Sequence, residues 1–384
     1  MAGKRANGEG SIRQRPDGRW EGRYVAGYLP NGKPDRKSVY GDTQADVKKK
    51  LREITQSLEE GEYIAPNKIT VESWLNTWFN VYFLPHHRES TATIYDVNIR
   101  AYLVPNLGRH MLQKLRVEHI QAFVTAQAKE SAPATVRKMV EVLRAALKQA
   151  VSNGLIAKNP CDSLILPKME QREIQMLSPE EQSTFLKALP DSEDGRALSF
   201  ILFTGLRVSE LCALRWEDVE DDHFTVRQGL VRTKAFEAEV EGSRTKLTIA
   251  PPKSKAGMRA IPILPEVSAI LRQQYRLFAE RKLKAGPAWK EGDYVFCSEA
   301  GSPKDPANLR RSLKRVLKAA NLEQRGLHAL RHTFATNLIR AGVDARTVGE
   351  LIGHSKVAFT LQTYVHSSDE QKRQALEAMR ESFF

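Results

Sequence analysis

The stretch SIRQRPDGRWEGRYVAGYLPNGKPDRKSVYG, Ser11 to Gly41, is punctuated twice. Pro16-Asp17-Gly18 separates Ser11–Arg15 from Arg19–Leu29, and Pro30-Asn31-Gly32 separates the latter from Asp35–Gly41. A glycine after Asp or Asn supplies the positive φ of a tight hairpin turn, so the stretch predicts three antiparallel strands. Thr43 can cap a helix that runs from Gln44 to about Glu60. Along the second strand Arg19, Glu21 and Arg23 point one way and Trp20 and Tyr24 the other. Arg13 and Arg15 are placed to join the arginine face from the first strand. A β-ribbon bearing arginines can enter a major groove and read phosphates or guanine edges. The same pattern also fits a solvated face over a Trp/Tyr core, and the charge of the whole chain tips the reading toward DNA.

That charge is large. The 384 residues carry 59 Lys and Arg against 46 Asp and Glu, a formal net charge of +13, with a pI near 9.6. Such a surplus implies a polyanionic partner, nucleic acid before membrane. Hydrophobic content of 41% and charged content of 27% are ordinary for a globular protein. Cys161, Cys212 and Cys297 are odd in number and far apart, so neither a disulfide framework nor a structural zinc site is expected, and a reducing cytoplasm fits. No apolar run approaches the roughly 18 residues that span a bilayer, and MAGKRANGEGS lacks the apolar core of a secretory signal.

Outward from the N-terminal stretch, residues 71–167 read as helical. Val71–Leu84, Thr91–Leu103, Val117–Ala128 and Ala134–Asn153 carry apolar residues at i, i+3, i+4 spacing. Pro85, Pro105, Gly108 and Gly154 are the expected stops. Beyond a polar linker at Pro167–Ile174, Ser178-Pro179-Glu180-Glu181 forms a capping box that opens a third, mainly helical block. Within it Phe224–Arg232 and Leu247–Leu264 are rich in β-branched residues and predict a small sheet.

The third block holds the residues with chemistry. Arg207 and Glu210 are three apart at a helix start, where a carboxylate can fix a guanidinium or form an ordinary surface ion pair. Lys253 and Lys255 flank a turn at Ala256-Gly257, where a lysine can swing into a site or merely be solvated. His328 and Arg331 project from one face at the head of an amphipathic helix, a disposition suited to an anion. His332 lies round the helix and reads as a packing residue. Gly353 breaks a short helix, Ala345–Leu351, and turns His354 back toward the domain. Tyr364 follows ten residues later. Taken together, two guanidiniums can hold the non-bridging oxygens of a phosphodiester and offset charge in a pentacoordinate transition state. A tyrosine oxygen can attack phosphorus. A lysine can protonate the departing 5′ oxygen, and a histidine can assist the nucleophile's proton loss. No Asp/Glu/His cluster for a divalent metal is present in the pattern.

In order, TGLRVSEL, PKSKAGMRAIPI, LHALRHTFATNL, LIGHS and TLQTYVH resemble the motifs of the tyrosine recombinases, and among them the integrases of phages and mobile elements. The resemblance implies catalytic roles for Arg207, Lys255 (with Lys253 as the neighbouring candidate), His328, Arg331, His354 and the nucleophile Tyr364, with Glu210 supporting Arg207. It implies a multidomain α+β chain. Residues 1–65 would be an arm-type DNA-binding domain, a three-stranded sheet plus helix with Arg13, Arg15, Arg19 and Arg23 as its DNA contacts. Residues 66–170, with Gly-Leu-Ile-Ala-Lys-Asn-Pro at 154–160 toward their end, would be a helical, SAM-like core-binding domain. Residues 171–384 would be a mainly α catalytic domain with a small sheet. The implied reaction uses neither metal, ATP nor another cofactor. The implied partners are double-stranded DNA at core and arm attachment sites and a homotetramer on that DNA. An excisionase or directionality factor and a host DNA-bending protein are further partners the resemblance admits. The setting would be the cytoplasm of a bacterial host, with no membrane partner. A last helix capped by Ser367-Ser368-Asp369-Glu370, with a stripe of Leu376, Met379, Phe383 and Phe384, would dock on a neighbouring protomer, the alternative being that it packs on its own domain. A type IB topoisomerase and a non-catalytic DNA-binding regulator are the alternative readings.

Overall fold

A computed structural model describes residues 11–28, 31–59, 67–169, 175–236, 245–252, 255–290 and 292–354, together with 377, 379 and 380. The chain divides into two compact units, Met1–Glu170 and Gln171–Phe384. The class is the α+β one expected from the sequence: a small three-stranded sheet with a helix, a helical segment, and a mainly helical unit with short strands.

In the first unit, β1 (Ser11–Gln14), β2 (Trp20–Tyr28) and β3 (Pro34–Gly41) form an antiparallel sheet in the order β1-β2-β3. Gly18 and Gly32 take φ of +84° and +76° at the two turns. The register pairs Arg13 with Glu21, and Glu21 with Tyr40. The opposite face, with Ile12, Trp20, Tyr24 and Val39, packs on Val47 and Leu51 of α1 (Gln44–Glu59). That helix sits so close that a Cβ on Gly22 would lie 2.5 Å from Val47 Cγ1, and only glycine admits the approach. Thr43 caps α1 by accepting from the Asp46 amide at 3.2 Å.

The helical segment follows. Here the structure corrects the expected stops. α2 (Val71–Thr77) passes into a π-helical stretch, Trp78–Phe83, and a 3-10 turn, Leu84–His86. α3 (Glu89–Asn98) likewise passes through the π stretch Ile99–Leu103 into α4 (Val104–Leu107). Pro105 was expected to end the helix, yet it lies inside α4. The Val104 amide reaches back five residues to the Ile99 carbonyl, and this wider turn carries the chain past a residue that has no N–H to give. Gly108 does end the run. α5 (Val117–Glu130) and α6 (Pro133–Ser152) complete the segment, and Trp74 Nε1 donates to the Ala146 carbonyl on α6 at 2.9 Å.

The second unit opens with α7 (Pro179–Ala188), whose Ser178–Glu181 capping box forms as read. It continues with α8 (Glu193–Thr204), the short α9 (Val208–Leu211), β4 (His223–Val226), β5 (Gly229–Lys234), β6 (Thr245–Ala250) and β7 (Arg259–Pro262). α10 (Pro265–Ala285), α11 (Pro306–Ala319), α12 (Leu327–Arg340) and α13 (Ala345–Ile352) close it. The expected small sheet is two separate antiparallel ladders, β4 with β7 and β5 with β6. The stretch read as one β region from Leu247 to Leu264 is interrupted by a one-turn 3-10 helix, Lys255–Gly257. α8 runs through the centre of this core, where Phe200, Ile201 and Leu198 are buried among Phe224, Phe296, Leu309 and Leu330. Among the described residues no helix is long and apolar enough to cross a membrane.

Candidate active site

Helix ends build the site. α8 stops at Gly205, whose φ of +64° makes a left-handed C-cap. A Cβ there would fall 2.3 Å from Phe334 Cδ1 of α12. Two residues on, Arg207 is the N-cap of α9. The Glu210 carboxylate reaches back to it, accepting from the Arg207 amide at 3.0 Å and from its guanidinium at 2.7 Å. The pair read as three apart at a helix start is therefore a cap-and-side-chain clamp, with Arg207 just outside the helix.

Arg331, one turn into α12, is 3% exposed. It donates to the Gly205 carbonyl at 2.8 Å and to the Ile352 carbonyl at the end of α13. Arg207 donates to the neighbouring Gly353 carbonyl at 3.2 Å. A third arginine, Arg259 on β7, donates to the Leu351 carbonyl at 2.6 Å. Three successive carbonyls at the C-terminus of α13 thus each accept from a different guanidinium. Those carbonyls have no partner within the helix and carry the negative end of its dipole, so they suit cations. Gly353 ends α13 with φ of +67°, and His354 follows, its amide donating to the Gly349 carbonyl at 2.9 Å.

Arg259 was not singled out in the sequence. Its side chain is 6% exposed and donates to Glu210 at 2.8 Å. Strand alternation carried a signal for it: Arg259 and the buried Ile261 lie two apart, hence on one face. Glu210 is 7% exposed. Burial pushes its carboxyl upward, but the Arg259 hydrogen bonds and the charges of Arg259 and Arg207 outweigh this and hold it below the usual carboxylate range.

The histidines feel the same cations. Burial pushes His354 down to about 4, helped by Arg331 and Arg207. His328 is lowered by burial and then by Arg331, Arg207 and Arg310. His332, read as a packing residue, is pushed to about 4 by burial, His328 and Arg331; its ring centroid lies 6.5 Å from that of His328. All three are neutral imidazoles at neutral pH. Arg207, His328, Arg331, His354 and Glu210 are thus brought together. Of Lys255 only the backbone is described, in the turn that leads into Arg259. Lys253, Tyr364 and all of the expected last helix except residues 377, 379 and 380 lie outside the described residues.

On the N-terminal sheet, Arg13 and Arg23 both donate to the buried Glu21, at 2.6 and 3.3 Å. The hydrogen bonds from Arg13, Ser38 and Arg23 hold Glu21 at about 2. Arg15 stands over the Tyr40 ring, and Arg19 is held by Asp17 at 2.9 Å across the turn. Arg13, Arg19 and Arg23 are exposed and Arg15 is half-buried.

The second unit is thus mainly helical and gathers guanidiniums and neutral histidines on its helix ends. Residues 175–371 match the model of the phage integrase family, and residues 70–126 match that of the phage integrase N-terminal SAM-like domain. The chain belongs to the phage integrase family and is a tyrosine-type site-specific DNA recombinase. A tyrosine recombinase XerC-like protein of Caldanaerobacter subterraneus subsp. tengcongensis is 29% identical over 368 residues, covering 92% of this chain and 93% of the relative. An integrase of Streptomyces ambofaciens is 26% identical over 373 residues, covering 95% and 94%. Among solved structures, the Tn1549 transposon integrase in complex with transposon right end DNA superposes with a TM-score of 0.66 at 22% identity, over 81% of this chain and 99% of that one. A lambda integrase tetramer bound to a Holliday junction gives 0.59 at 19% identity, over 95% and 99%. These two likenesses speak for the fold.

Proposed function

We propose that this recombinase is the integrase of a phage or mobile element, cutting and rejoining attachment sites through a 3′-phosphotyrosine at Tyr364. The convergence of Arg207 and Arg331 on the end of α13, beside His328 and His354, carries the reading. Two guanidiniums held by backbone carbonyls and Glu210 are pre-aimed, so they stabilise charge on the phosphoryl oxygens without reorganising. The Tyr364 oxygen attacks phosphorus and forms a P–O bond while the P–O5′ bond breaks. The phenolic proton passes to a neutral histidine, His328 or His354, and Lys255 gives a proton to the departing 5′ oxygen. The phosphodiester energy is kept in the covalent link, so rejoining needs no ATP.

Three domains divide the labour in this reading: residues 1–65 on arm sites through Arg13, Arg15, Arg19 and Arg23, residues 66–170 and 171–384 on the core site. The exposed arginines on one sheet face support the first. The lambda integrase of like fold, solved as a tetramer bound to a Holliday junction, supports a homotetramer here. A directionality factor and a host bending protein belong to the same proposal. The test is covalent trapping with a nicked substrate from the element's own junction, in EDTA. An SDS-resistant adduct that maps to Tyr364 and is lost in Tyr364→Phe is expected. Tight binding of a verified junction with no adduct would overturn the reading.

A further inference from the structure

We infer that Arg259 is a positioning residue, through which the turn bearing Lys255 is locked to the rest of the site. The inference rests on the reading of Lys255 as the proton donor. Arg259 reaches three places at once. It donates to both oxygens of Glu210, at 2.8 and 3.3 Å. It donates to the Leu351 carbonyl at 2.6 Å, three residues before His354. And it donates to the Gly257 carbonyl at 3.1 Å, within the Lys255–Gly257 turn. The turn itself meets the end of α13, for a Cβ on Gly353 would lie 2.8 Å from the Arg259 guanidinium and 3.1 Å from the Ala256 carbonyl. One buried cation therefore ties the lysine turn, the carboxylate that orients Arg207, and the helix end that presents His354. Only the planar five-donor fork of arginine can serve three acceptors in three directions; an ammonium keeps the charge and loses the geometry.

Arg259→Ala leaves Glu210 buried without its main partner and can fail to fold. Arg259→Lys is the informative variant, with Gly257→Ala as a second that leaves the charges alone. An added Cβ at 257 would lie 2.4 Å from Pro252 Cβ and must shift the turn. Cleavage is measured on two nicked duplexes, one with the natural bridging 5′ oxygen and one with sulfur in its place. The P–S bond breaks to a thiolate, which leaves without a proton, so the sulfur substrate needs no acid. Gly257→Ala should lose about 10-fold or more on oxygen and stay within about 3-fold of the native chain on sulfur, while Arg259→Lys, which also loosens Glu210, should lose at least about 10-fold more on oxygen than on sulfur, with duplex binding retained in both. Equal losses on both substrates, or no loss on either, would overturn the positioning role. Lys255→Ala runs beside them. If sulfur fails to rescue Lys255→Ala, the assignment of Lys255 as acid is what falls. If it rescues Lys255→Ala but not Arg259→Lys, the role of Arg259 falls alone.

Discussion

Acid should loosen the catalytic unit through its histidines before its depressed carboxylates titrate. His354 and His332 are held at about 4 in the folded chain, against about 6.5 when unfolded. A depressed imidazole favours the fold while neutral, so its contribution is complete above 6.5 and drains away as the pH falls toward 4. Between pH 7 and 5 the unfolded ring takes up a proton that the folded ring refuses, at a cost of about 2 kcal/mol per histidine. Both rings are half-buried, and solvent screening brings this to about 1 kcal/mol each. The depressed carboxylates, Glu210, Glu181 and Asp194, lose stability only below their ordinary range and stay silent in this window. His223 and Asp218 are shifted upward and work in the opposite sense, so variants must be compared with the native chain. Urea unfolding of the intact protein, read by pulsed hydrogen exchange of α12 peptides, would be run at both pH values. The native chain should lose about 1 kcal/mol more than His354→Asn and likewise more than His332→Asn. An identical pH 7 to pH 5 loss in all three would refute the argument that burial and the arginine field keep these rings neutral.

Three other perturbations test the architecture. Gly205→Ala sets a Cβ 2.3 Å from Phe334 Cδ1 at φ +64°, so a stability loss of about 2 kcal/mol and a lower Tm are expected, checked by thermal unfolding. Arg331→Lys retains one positive charge but cannot serve both the Gly205 and Ile352 carbonyls; cleavage should fall by about 100-fold or more while duplex binding persists, in a single-turnover assay. Gly22→Ala drives a Cβ against Val47 and Leu51 and should unseat α1, raising hydrogen exchange across residues 44–59 while leaving cleavage of a core-only substrate intact.

Local chemistry was legible in the sequence wherever one residue decides one turn. Asp17-Gly18 and Asn31-Gly32 announced the hairpins, and Thr43 and Ser178 announced helix starts, because a cap or a positive φ is satisfied within four residues. Pro105 misled for the same reason. Proline forbids its own N–H bond, but the five-residue reach of Val104 depends on packing that local rules do not see. The split of the small sheet into two ladders is a question of pairing partners, which β-branched content does not encode. At the site, the motifs named Arg207, His328, Arg331 and His354, which the fold brings together. What they could not show is that Arg207 finds a carbonyl 146 residues away and Arg259 one 92 residues away.

Those long-range bonds explain how the site tolerates its own charge. Arg207, Arg259 and Arg331 crowd one helix end, and Glu210 is the one carboxylate among their described hydrogen-bond partners. Three guanidiniums against one carboxylate would repel one another strongly in a buried setting. The carbonyls of Leu351, Ile352 and Gly353 supply the missing negative character as fixed dipoles that carry no proton and cannot be titrated away. A second or third carboxylate would have balanced the charge equally well, but would then have competed with a phosphodiester for the same guanidiniums and repelled it on approach. Backbone dipoles steady the arginines without cancelling them, and burial, helped by the field left over, keeps His328 and His354 neutral. In the proposed function, one arrangement thus leaves a positive seat for phosphate and, beside it, imidazoles able to accept a proton.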